Sequence, residues 1–391
     1  MATAGALAAA VTTTVTTTAA GAAPGRPDAQ GPPGAPGAPG AHERTQAALD
    51  AIVAAGTPGA LARVTTGDGR WFGEAGAADL ATGEPRRADD RFRVGSLTKT
   101  FTATVLLQLE AEGLLSLDDS VERWLPGVVR GRGHDGRKVS LRQLLNHTSG
   151  IFNYNRDAGF LADFTGEPFL KNRYKGATPE QLVEIGLAHP PEFAPGTGWS
   201  YSDTNYILAG MVIERATGRS YASQVERRIT GPLKLRSTSV PGRSPTIPGP
   251  NARHYSKLYD EDPGAAVHDV TEFNPSVAGA AGQIISTAGD VNRFYGALLA
   301  GELLPARQLK AMLTAVPVDH AGGAVAAYGL GIRSDTLPCG VTVWGHGGQV
   351  PGSLSRAAAT RDGAHVLTLN RNGDWGAQSL EDATLTAEFC G

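Results

Sequence analysis

Segments with the pattern of β-strands lie near both ends of the chain, and helix-like segments occupy the middle. Residues 61–65 and 70–77 flank the turn sequence Gly-Asp-Gly at 67–69, which predicts a β-hairpin. Three further strands are predicted towards the C-terminus, at residues 340–344, 353–360 and 365–370. The simplest fold for this order is α/β: one antiparallel, five-stranded sheet built from both chain ends, covered by helices, with a mostly helical insertion.

Helices are predicted where apolar residues recur every three or four positions between start and stop signals. One begins at Ser96 and ends at Gly113, and another begins at a capping box of Thr178 and Gln181 with Pro179 at its first helical position. Three more helices are predicted, at residues 204–217, 286–300 and 379–389. The predicted folded domain is 44–391, with a sheet part at about 44–95 and 278–391 and a helical part at about 96–277.

The N-terminal end indicates export. Residues 1–25 carry no charged side chain and end in small residues around Pro24, as the apolar region and cleavage site of a secretory signal do. The basic residues that usually begin a secretory signal are missing. Either the start of the chain is assigned too far downstream, or the segment is a disordered Thr/Ala tail. Residues 26–43 are rich in Pro and Gly and predict a stiff, extended linker. We expect a secreted protein.

Charge and motif content exclude several classes of protein. The 35 Lys and Arg residues face 38 Asp and Glu, a net charge of −3, whereas a nucleic-acid-binding protein presents a basic stripe. No run of roughly 18 apolar residues predicts a transmembrane helix. The nine histidines are scattered and no H-E-x-x-H motif occurs, so we expect no metal and no cofactor.

The chain has two cysteines, Cys339 and Cys390. In an exported protein an even pair suggests one disulfide bridge, which would tie the C-terminal end to the segment before residues 345–348. Closing such a loop would stabilise the fold by about 4 kcal/mol. Two unrelated thiols are the alternative.

Ser96 and Lys99 lie three residues apart at the start of a predicted helix. Residues i and i+3 share one helix face, so the amine would lie one turn from the hydroxyl. A serine hydroxyl needs a base to become a good nucleophile, and a lysine held away from water can provide one. The helix N-terminus offers backbone N–H groups to a developing oxyanion. A capping serine beside a surface lysine is the alternative, because this spacing is common.

Two further segments carry candidate groups. Tyr201 precedes the predicted helix at 204–217, and a neighbouring ammonium would lower the pKa of its phenol, so that it could move protons between Ser96 and a leaving amine. His346 precedes two glycines, which would let an extended peptide approach a strand edge closely. An ordinary loop tyrosine and a glycine-rich turn with a surface histidine are the alternatives.

Together, the Ser-Lys, Tyr and His-Gly motifs resemble those of the penicillin-recognising serine hydrolases. The resemblance covers nearly all of residues 44–391 and is to the class-C-β-lactamase-related group, nearest to the secreted D-alanyl-D-alanine carboxypeptidases of actinomycetes. It is carried by DRFRVGSLTK at 90–99, LRQLLNHTSG at 141–150 and YSDTN at 201–205, and also by residues 282–287, 328–331 and 389–391. It implies the β-lactamase/transpeptidase-like fold, and it supports a Cys339–Cys390 bridge.

The resemblance also implies a reaction. Ser96 would form an acyl-enzyme, Lys99 and Tyr201 would manage its protons, and His346 would help to keep the Tyr201 side of the site positive. The implied enzyme is a monomeric carboxypeptidase that acts on peptidoglycan-type peptides ending in D-Ala-D-Ala and binds penicillins and other β-lactams.

Substrate-binding groups follow from the same resemblance. The backbone N–H groups of Ser96 and Gln349 would form an oxyanion hole at the end of the segment that contains Gly347 and Gly348. Arg333 matches an arginine that holds the substrate's terminal carboxylate, a task that suits the fork of a guanidinium.

Two positions depart from the family pattern. Asp203 stands where the family usually has Asn, and an ionised carboxylate accepts hydrogen bonds only, besides favouring Lys99 as a cation. Gly347 stands where relatives often carry a hydroxyl that helps to bind the carboxylate, so Arg333 would hold that group more nearly alone. Both departures concern substrate identity and leave Ser96, Lys99 and Tyr201 in place.

Alternatives remain at this stage. A β-lactamase is the first, and a D-amino-acid peptidase or an esterase shares the same motifs. A non-catalytic binding protein is disfavoured because the Ser-Lys-Tyr set is complete. No G-x-S-x-G motif occurs, which argues against a nucleophile-elbow hydrolase. His147 is interpreted as a residue that fixes a loop-to-strand corner rather than as a catalytic group.

Overall fold

The computed structural model describes Gly40 and residues 42–260, 262, 264–318 and 326–391. The predicted signal-like segment and most of the predicted linker lie outside these residues. Within the described ranges, no helix is both long and apolar enough to cross a membrane.

The main sheet is antiparallel and has eight strands, where the sequence predicted five. Its strands are β1 Gly59–Thr66, β2 Gly69–Gly76, β9 Val316–Val318, β10 Ala326–Tyr328, β11 Arg333–Thr336, β12 Thr342–Val350, β13 Ser353–Ala359 and β14 Val366–Arg371. They are ordered β2-β1-β14-β13-β12-β11-β10-β9, so strands from the first and last parts of the predicted domain pair directly where β1 meets β14. The three strands missed, β9 to β11, are three or four residues long, which is too short to show an alternating pattern.

Among the described residues, three two-residue strand pairs lie outside the main sheet. They are β3 Phe92–Arg93 with β8 Ile285–Ser286, β4 Arg130–Gly131 with β5 His134–Asp135, and β6 Tyr255–Ser256 with β7 His268–Asp269.

Strand β12 continues through the glycines that the sequence analysis placed after the strand. Glycine is required here because a Cβ on Gly348 would lie 2.0 Å from the carbonyl oxygen of Val94. The close approach of these two backbones brings the segment before Ser96 against β12.

The helices in the first half of the chain are α1 Glu43–Ala54, α2 Thr98–Ala111, α3 Val121–Trp124, α4 Leu141–Leu145, α5 Ala158–Phe164, α6 Gly166–Asn172 and α7 Pro179–Leu187. Those in the second half are α8 Asp203–Thr217, α9 Tyr221–Val225, α10 Gly279–Gly282, α11 Ala288–Leu299, α12 Ala306–Met312 and α13 Ser379–Phe389. The predicted capping box of α7 is present, with Gln181 N–H donating to Thr178 Oγ1 at 3.3 Å. Helix α1 was not predicted, since residues from 44 onwards were assigned to the sheet part.

Helices cover both faces of the main sheet. Along β1, Ala62 and Val64 pack with Leu49 of α1 and Leu385 of α13, whereas Leu61 joins the core on the other face. This alternation follows from the two-residue period of a strand. Helix α2 lies inside the larger core. Every residue of this helix except Gln108, Glu110 and Ala111 is buried. A helix buried all round is held by packing on every side, so its first turn is rigidly placed.

Cys339 and Cys390 form a disulfide, with their Cα atoms 5.8 Å apart. The bridge joins the turn between β11 and β12 to the residue that follows α13. The predicted pairing is confirmed, and the C-terminal helix is tied to the sheet beside the strand that carries His346.

Candidate active site

Ser96 and Lys99 meet as the i, i+3 spacing predicted. Ser96 lies in a single helical turn, Gly95–Leu97, that leads directly into α2, and Lys99 Nζ donates to Ser96 Oγ at 3.0 Å. The lysine is fully buried and donates a second hydrogen bond to the carbonyl of Ala281 at 2.9 Å. An amine held dry against a serine hydroxyl can take up the hydroxyl proton once the amine is neutral.

Asp203 provides the charge partner of Lys99. Its carboxylate forms an ion pair with Lys99 and accepts a hydrogen bond from the side chain of Asn155, and its backbone N–H donates to Asn153 Oδ1 at 3.2 Å. Burial lowers the pKa of the Lys99 ammonium, and Asp203 opposes this by favouring the charged form. Asn155 was not predicted, because it lies in a single helical turn, Tyr154–Arg156, with no catalytic motif around it.

Tyr201 lies over Lys99, with the ammonium nitrogen 4.8 Å from the centre of the phenol ring. Burial and the negative charge of Asp203 raise the pKa of the Tyr201 hydroxyl well above its ordinary value, an effect that Ser96 and Arg333 only partly oppose. The predicted lowering of this pKa is therefore wrong in sign, because burial of the phenol, reinforced by the charge of Asp203, disfavours the phenolate. Tyr201 is a neutral phenol that can donate its proton.

His346 is also neutral. Its Nδ1 lies 2.5 Å from the carbonyl oxygen of Gly347, so Nδ1 carries the proton and Nε2 accepts a hydrogen bond from Tyr328 at 2.8 Å. Burial, together with the positive charge of Lys99, lowers the pKa of His346 well below its ordinary value. The expectation that His346 keeps the site positive is therefore wrong, and the residue orients Tyr328 instead.

The second half of β12 provides an open backbone edge beside Ser96. Its pairing with β11 ends at Gly345, whereas its pairing with β13 continues to Val350. A Cβ on Gly95, whose φ is +57°, would lie 2.6 Å from the backbone nitrogen of Gln349. The backbone of Gln349 thus lies directly against the segment that carries Ser96, as the predicted oxyanion hole requires.

Arg333 lies in the site but is already engaged. Its guanidinium donates to Asp335 Oδ1 from Nε at 3.1 Å and also from Nη2, and the second oxygen of Asp335 accepts from Arg356. Arg356 comes from β13, opposite Gly347, and a Cβ on Gly347 would lie 3.4 Å from its Nη1. Arg333 was predicted to be available to a substrate carboxylate, whereas Asp335 holds it and Arg356 shares that carboxylate. The spacing of Arg333 and Asp335 was an available signal, because residues two apart on a strand share a face.

The catalytic groups open into a cavity of about 850 Å³. Ser96, Tyr201, Arg333 and the segment 346–350 line one wall. Apolar and aromatic side chains from α5, α6 and the loops line much of the rest, among them Phe160, Phe164, Phe169, Trp199 and Phe273. A mainly apolar lining with a few polar groups at one wall is typical of a small-molecule site.

His147 packs against the segment that carries Tyr201. It is fully buried, its Nδ1 accepts the backbone N–H of Ser202 at 3.1 Å, and its ring lies 4.3 Å from that of Tyr201. It lies just after α4 rather than at a loop-to-strand corner, with an unusual φ of +63°. Burial lowers its pKa well below the ordinary value, so the ring is neutral. His147 therefore has a structural role, which is to hold the backbone next to Tyr201.

No group of three His, Cys, Asp or Glu side chains in the part of the chain that the structure describes is arranged to hold a metal ion. The candidate reacting groups of the site are Ser96, Lys99 and Tyr201.

Comparison with known proteins places this geometry in a family. A family model described as beta-lactamase matches residues 44–388. The chain is 29% identical to "Penicillin-binding protein 4*" of Bacillus subtilis over 71% of its own length and 59% of that protein's. It is 38% identical to "Esterase EstB" of Burkholderia gladioli over 44% of its own length. The chain therefore spans 59% and 43% of the lengths of these two curated relatives.

Solved structures match over more of the chain. A D-stereospecific amidohydrolase from Streptomyces sp. is 54% identical, with a TM-score of 0.84, over 90% of this chain and 99% of that one. A D-amino acid amidase from Ochrobactrum anthropi SV3 is 30% identical, with a TM-score of 0.76, over 88% of this chain and 97% of that one. The match of the family model to most of the chain, together with these structures, shows that the chain belongs to the beta-lactamase family of serine hydrolases.

Proposed function

We propose that this protein hydrolyses amide bonds whose acyl half is a D-amino acid residue, through an acyl-enzyme on Ser96. The observation that carries the proposal is the contact of 3.0 Å between Lys99 Nζ and Ser96 Oγ at the wall of a largely apolar cavity. The D configuration is supported by the names of the two structural relatives, the amidohydrolase and the D-amino acid amidase.

The geometry suggests the order of steps. Ser96 Oγ attacks the substrate carbonyl while Lys99, as the amine, takes the hydroxyl proton. The oxyanion is held by the backbone N–H groups of Ser96 and Gln349. Tyr201 gives a proton to the leaving nitrogen as the C–N bond breaks, and Lys99 returns one to Tyr201. Water then attacks the acyl ester, losing its proton to Lys99, and as the ester C–O bond breaks Lys99 returns this proton to Ser96 Oγ, which restores the hydroxyl and the neutral amine.

Arg333 favours a leaving group without a carboxylate. An enzyme that reads a free C-terminus needs a cation to receive it, and the guanidinium in this position is already bound to Asp335. The aromatic side of the cavity favours an apolar or aromatic side chain on the D-amino acid.

D-alanyl-D-alanine carboxypeptidase activity is the second candidate. It is favoured by the position of Arg333 on the cavity wall and by the likeness to penicillin-binding proteins. The two candidates share every step at Ser96 and differ only in whether the departing amine carries a carboxylate.

Intact-mass and product analysis would separate the candidates. The purified protein is mixed with D-phenylalaninamide, L-phenylalaninamide, an acyl-D-Ala-D-Ala peptide or benzylpenicillin, with Ser96→Ala as the matched control. We expect ammonia release from the D-amide only, and no release from any substrate by the variant. Faster release of D-Ala from the peptide would establish the carboxypeptidase, and rapid multiple turnover of penicillin would establish a β-lactamase.

We also propose that the protein acts outside the cytoplasm. The paired cysteines support this, because disulfides persist in oxidising compartments and are rare in the cytosol. Fractionation of the producing cells, with antibody detection of the chain, tests the location.

A further inference from the structure

Arg333, Asp335 and Arg356 form a charge trio beside the catalytic groups. Asp335 is buried, and each of its two oxygens accepts from a different guanidinium. Both arginines lower the pKa of Asp335 below its ordinary value against the effect of burial, so the carboxylate is ionised at neutral pH. The trio carries two positive charges and one negative charge.

Only one member of the trio reaches the cavity. Arg333 lines the cavity wall with a partly exposed side chain, whereas the side chain of Arg356 is only 4% exposed and lies behind Gly347. A substrate carboxylate could therefore meet the trio through Arg333 alone. Asp335 already occupies Nε and Nη2 of that guanidinium.

A substrate carboxylate would thus compete with Asp335 for Arg333. Displacing Asp335 would leave a buried carboxylate with one of its two partners, which is unfavourable because a buried charge needs its hydrogen bonds. Approach without displacement would place two carboxylates on one guanidinium, where their like charges repel.

We infer that Asp335 is a specificity-determining residue: by holding Arg333, it weakens recognition of substrates whose leaving group ends in a free carboxylate. This inference rests on the proposed function and adds to it the residue that sets the leaving-group class. Asp335 itself acts through Arg333 and does not line the cavity wall.

The test uses two substrates that differ only at the carboxylate, D-phenylalanyl-D-alanine and D-phenylalanyl-D-alaninamide. The readout is the ratio of kcat/KM for the acid to kcat/KM for the amide, which cancels changes common to both substrates. Asp335→Asn removes the competing charge and keeps the side-chain shape. We expect the ratio to rise by about tenfold or more, the range of one charge-assisted hydrogen bond.

Two further variants keep the test decisive. In the double variant Asp335→Asn/Arg333→Ala the gain should disappear, because the effect runs through Arg333. If Asp335→Asn does not fold, Arg356→Met serves instead: Asp335 then has Arg333 as its sole charge partner, and the ratio should fall below that of the wild type. Thermal melting and turnover of D-phenylalaninamide, which has no carboxylate, report whether each variant is folded.

The outcomes separate the two proposals. A wild-type protein that cleaves neither peptide nor D-phenylalaninamide overturns the proposed function, and this inference with it. An active wild type with a folded Asp335→Asn variant of unchanged ratio overturns the inference alone. A gain that survives in the double variant also overturns it, because Arg333 would then not be the group that Asp335 controls.

Discussion

The ion pair between Lys99 and Asp203 offers a sharp test of the site, because replacing Asp203 with Asn removes the charge while keeping the size and shape of the side chain. Removing one partner of a buried ion pair typically costs about 3–5 kcal/mol, since the other charge is left uncompensated. Lys99 is fully buried, so this range applies, but the lysine can escape part of the cost by losing its proton. Asp203→Asn therefore lowers the pKa of Lys99 further below its ordinary value than burial already does.

The sign of the pH dependence follows from that lowered pKa. A lysine whose pKa is lower in the folded state binds fewer protons when folded than when unfolded, so the free energy of unfolding rises with pH across the gap between the two values. The difference between the folded-state and unfolded-state pKa values of Lys99 is larger in Asp203→Asn than in the wild type. The stability deficit of Asp203→Asn is therefore largest at low pH and shrinks as pH rises towards the ordinary pKa of lysine.

The pH dependence of activity should also change in Asp203→Asn. Lys99 accepts the Ser96 proton only as the neutral amine, so a lower pKa extends the neutral fraction to lower pH. We expect the acidic limb of the kcat/KM profile to shift to lower pH in Asp203→Asn. Loss of the hydrogen bond from Asn155 to Asp203 can lower the plateau rate without moving this limb.

The assay compares melting temperature and kcat/KM from about pH 6 to about pH 9, which spans the region between ordinary His and Lys titration. Asp90→Asn is the matched control, because it breaks the buried pair of Asp90 with Arg86, whose guanidinium stays charged over this range. The control should lose stability by the same amount at every pH. An Asp203→Asn deficit that is equally flat, with an unshifted activity profile, would refute the coupling of Lys99 to Asp203.

Three further predictions follow from the packing around the site. His147→Ala leaves the Ser202 N–H without its acceptor, so kcat should fall more than KM rises. His147→Asn should recover part of the rate, because Asn can accept a hydrogen bond and tolerates a positive φ. Equal rates in both variants would exclude the positioning role. Replacing both Cys339 and Cys390 with Ser should remove about 4 kcal/mol of stability, measured by denaturant unfolding, and should abolish the sensitivity of the melting temperature to dithiothreitol. Phe164→Ala should reduce kcat/KM about tenfold for D-phenylalaninamide and much less for D-alaninamide; a uniform loss would place the substrate side chain elsewhere in the cavity.

Local features of the site could be predicted from the sequence because neighbours along the chain decide them. The i, i+3 spacing fixes Ser96 and Lys99 on one helical turn whatever surrounds them, and the capping box at Thr178 and Gln181 forms from residues three apart. The cysteine pairing was also within reach, because with two cysteines there is one possible bridge.

Charge states at the site could not be predicted in this way, because they depend on burial and on partners distant in sequence. Asp203 reaches Lys99 across 104 residues, and burial makes His346 neutral and raises the pKa of Tyr201. His346 was expected to keep the site positive and the pKa of Tyr201 was expected to be lowered, and exclusion of water reversed both expectations, whereas the expected effect of Asp203 on Lys99 is present.

From the sequence alone, spacing and periodicity predicted Ser96 and Lys99 on one helical turn and strands near both ends of the domain, but not β9 to β11 or α1. Tertiary structure decided which charged groups remain available to a substrate. Arg333 is present in the sequence as a cation, but only the pairing of β11, β12 and β13 brings Arg356 to the far side of Asp335 and completes the trio that holds Arg333. Long-range pairing of charges depends on which strands become neighbours, and no local pattern records that choice.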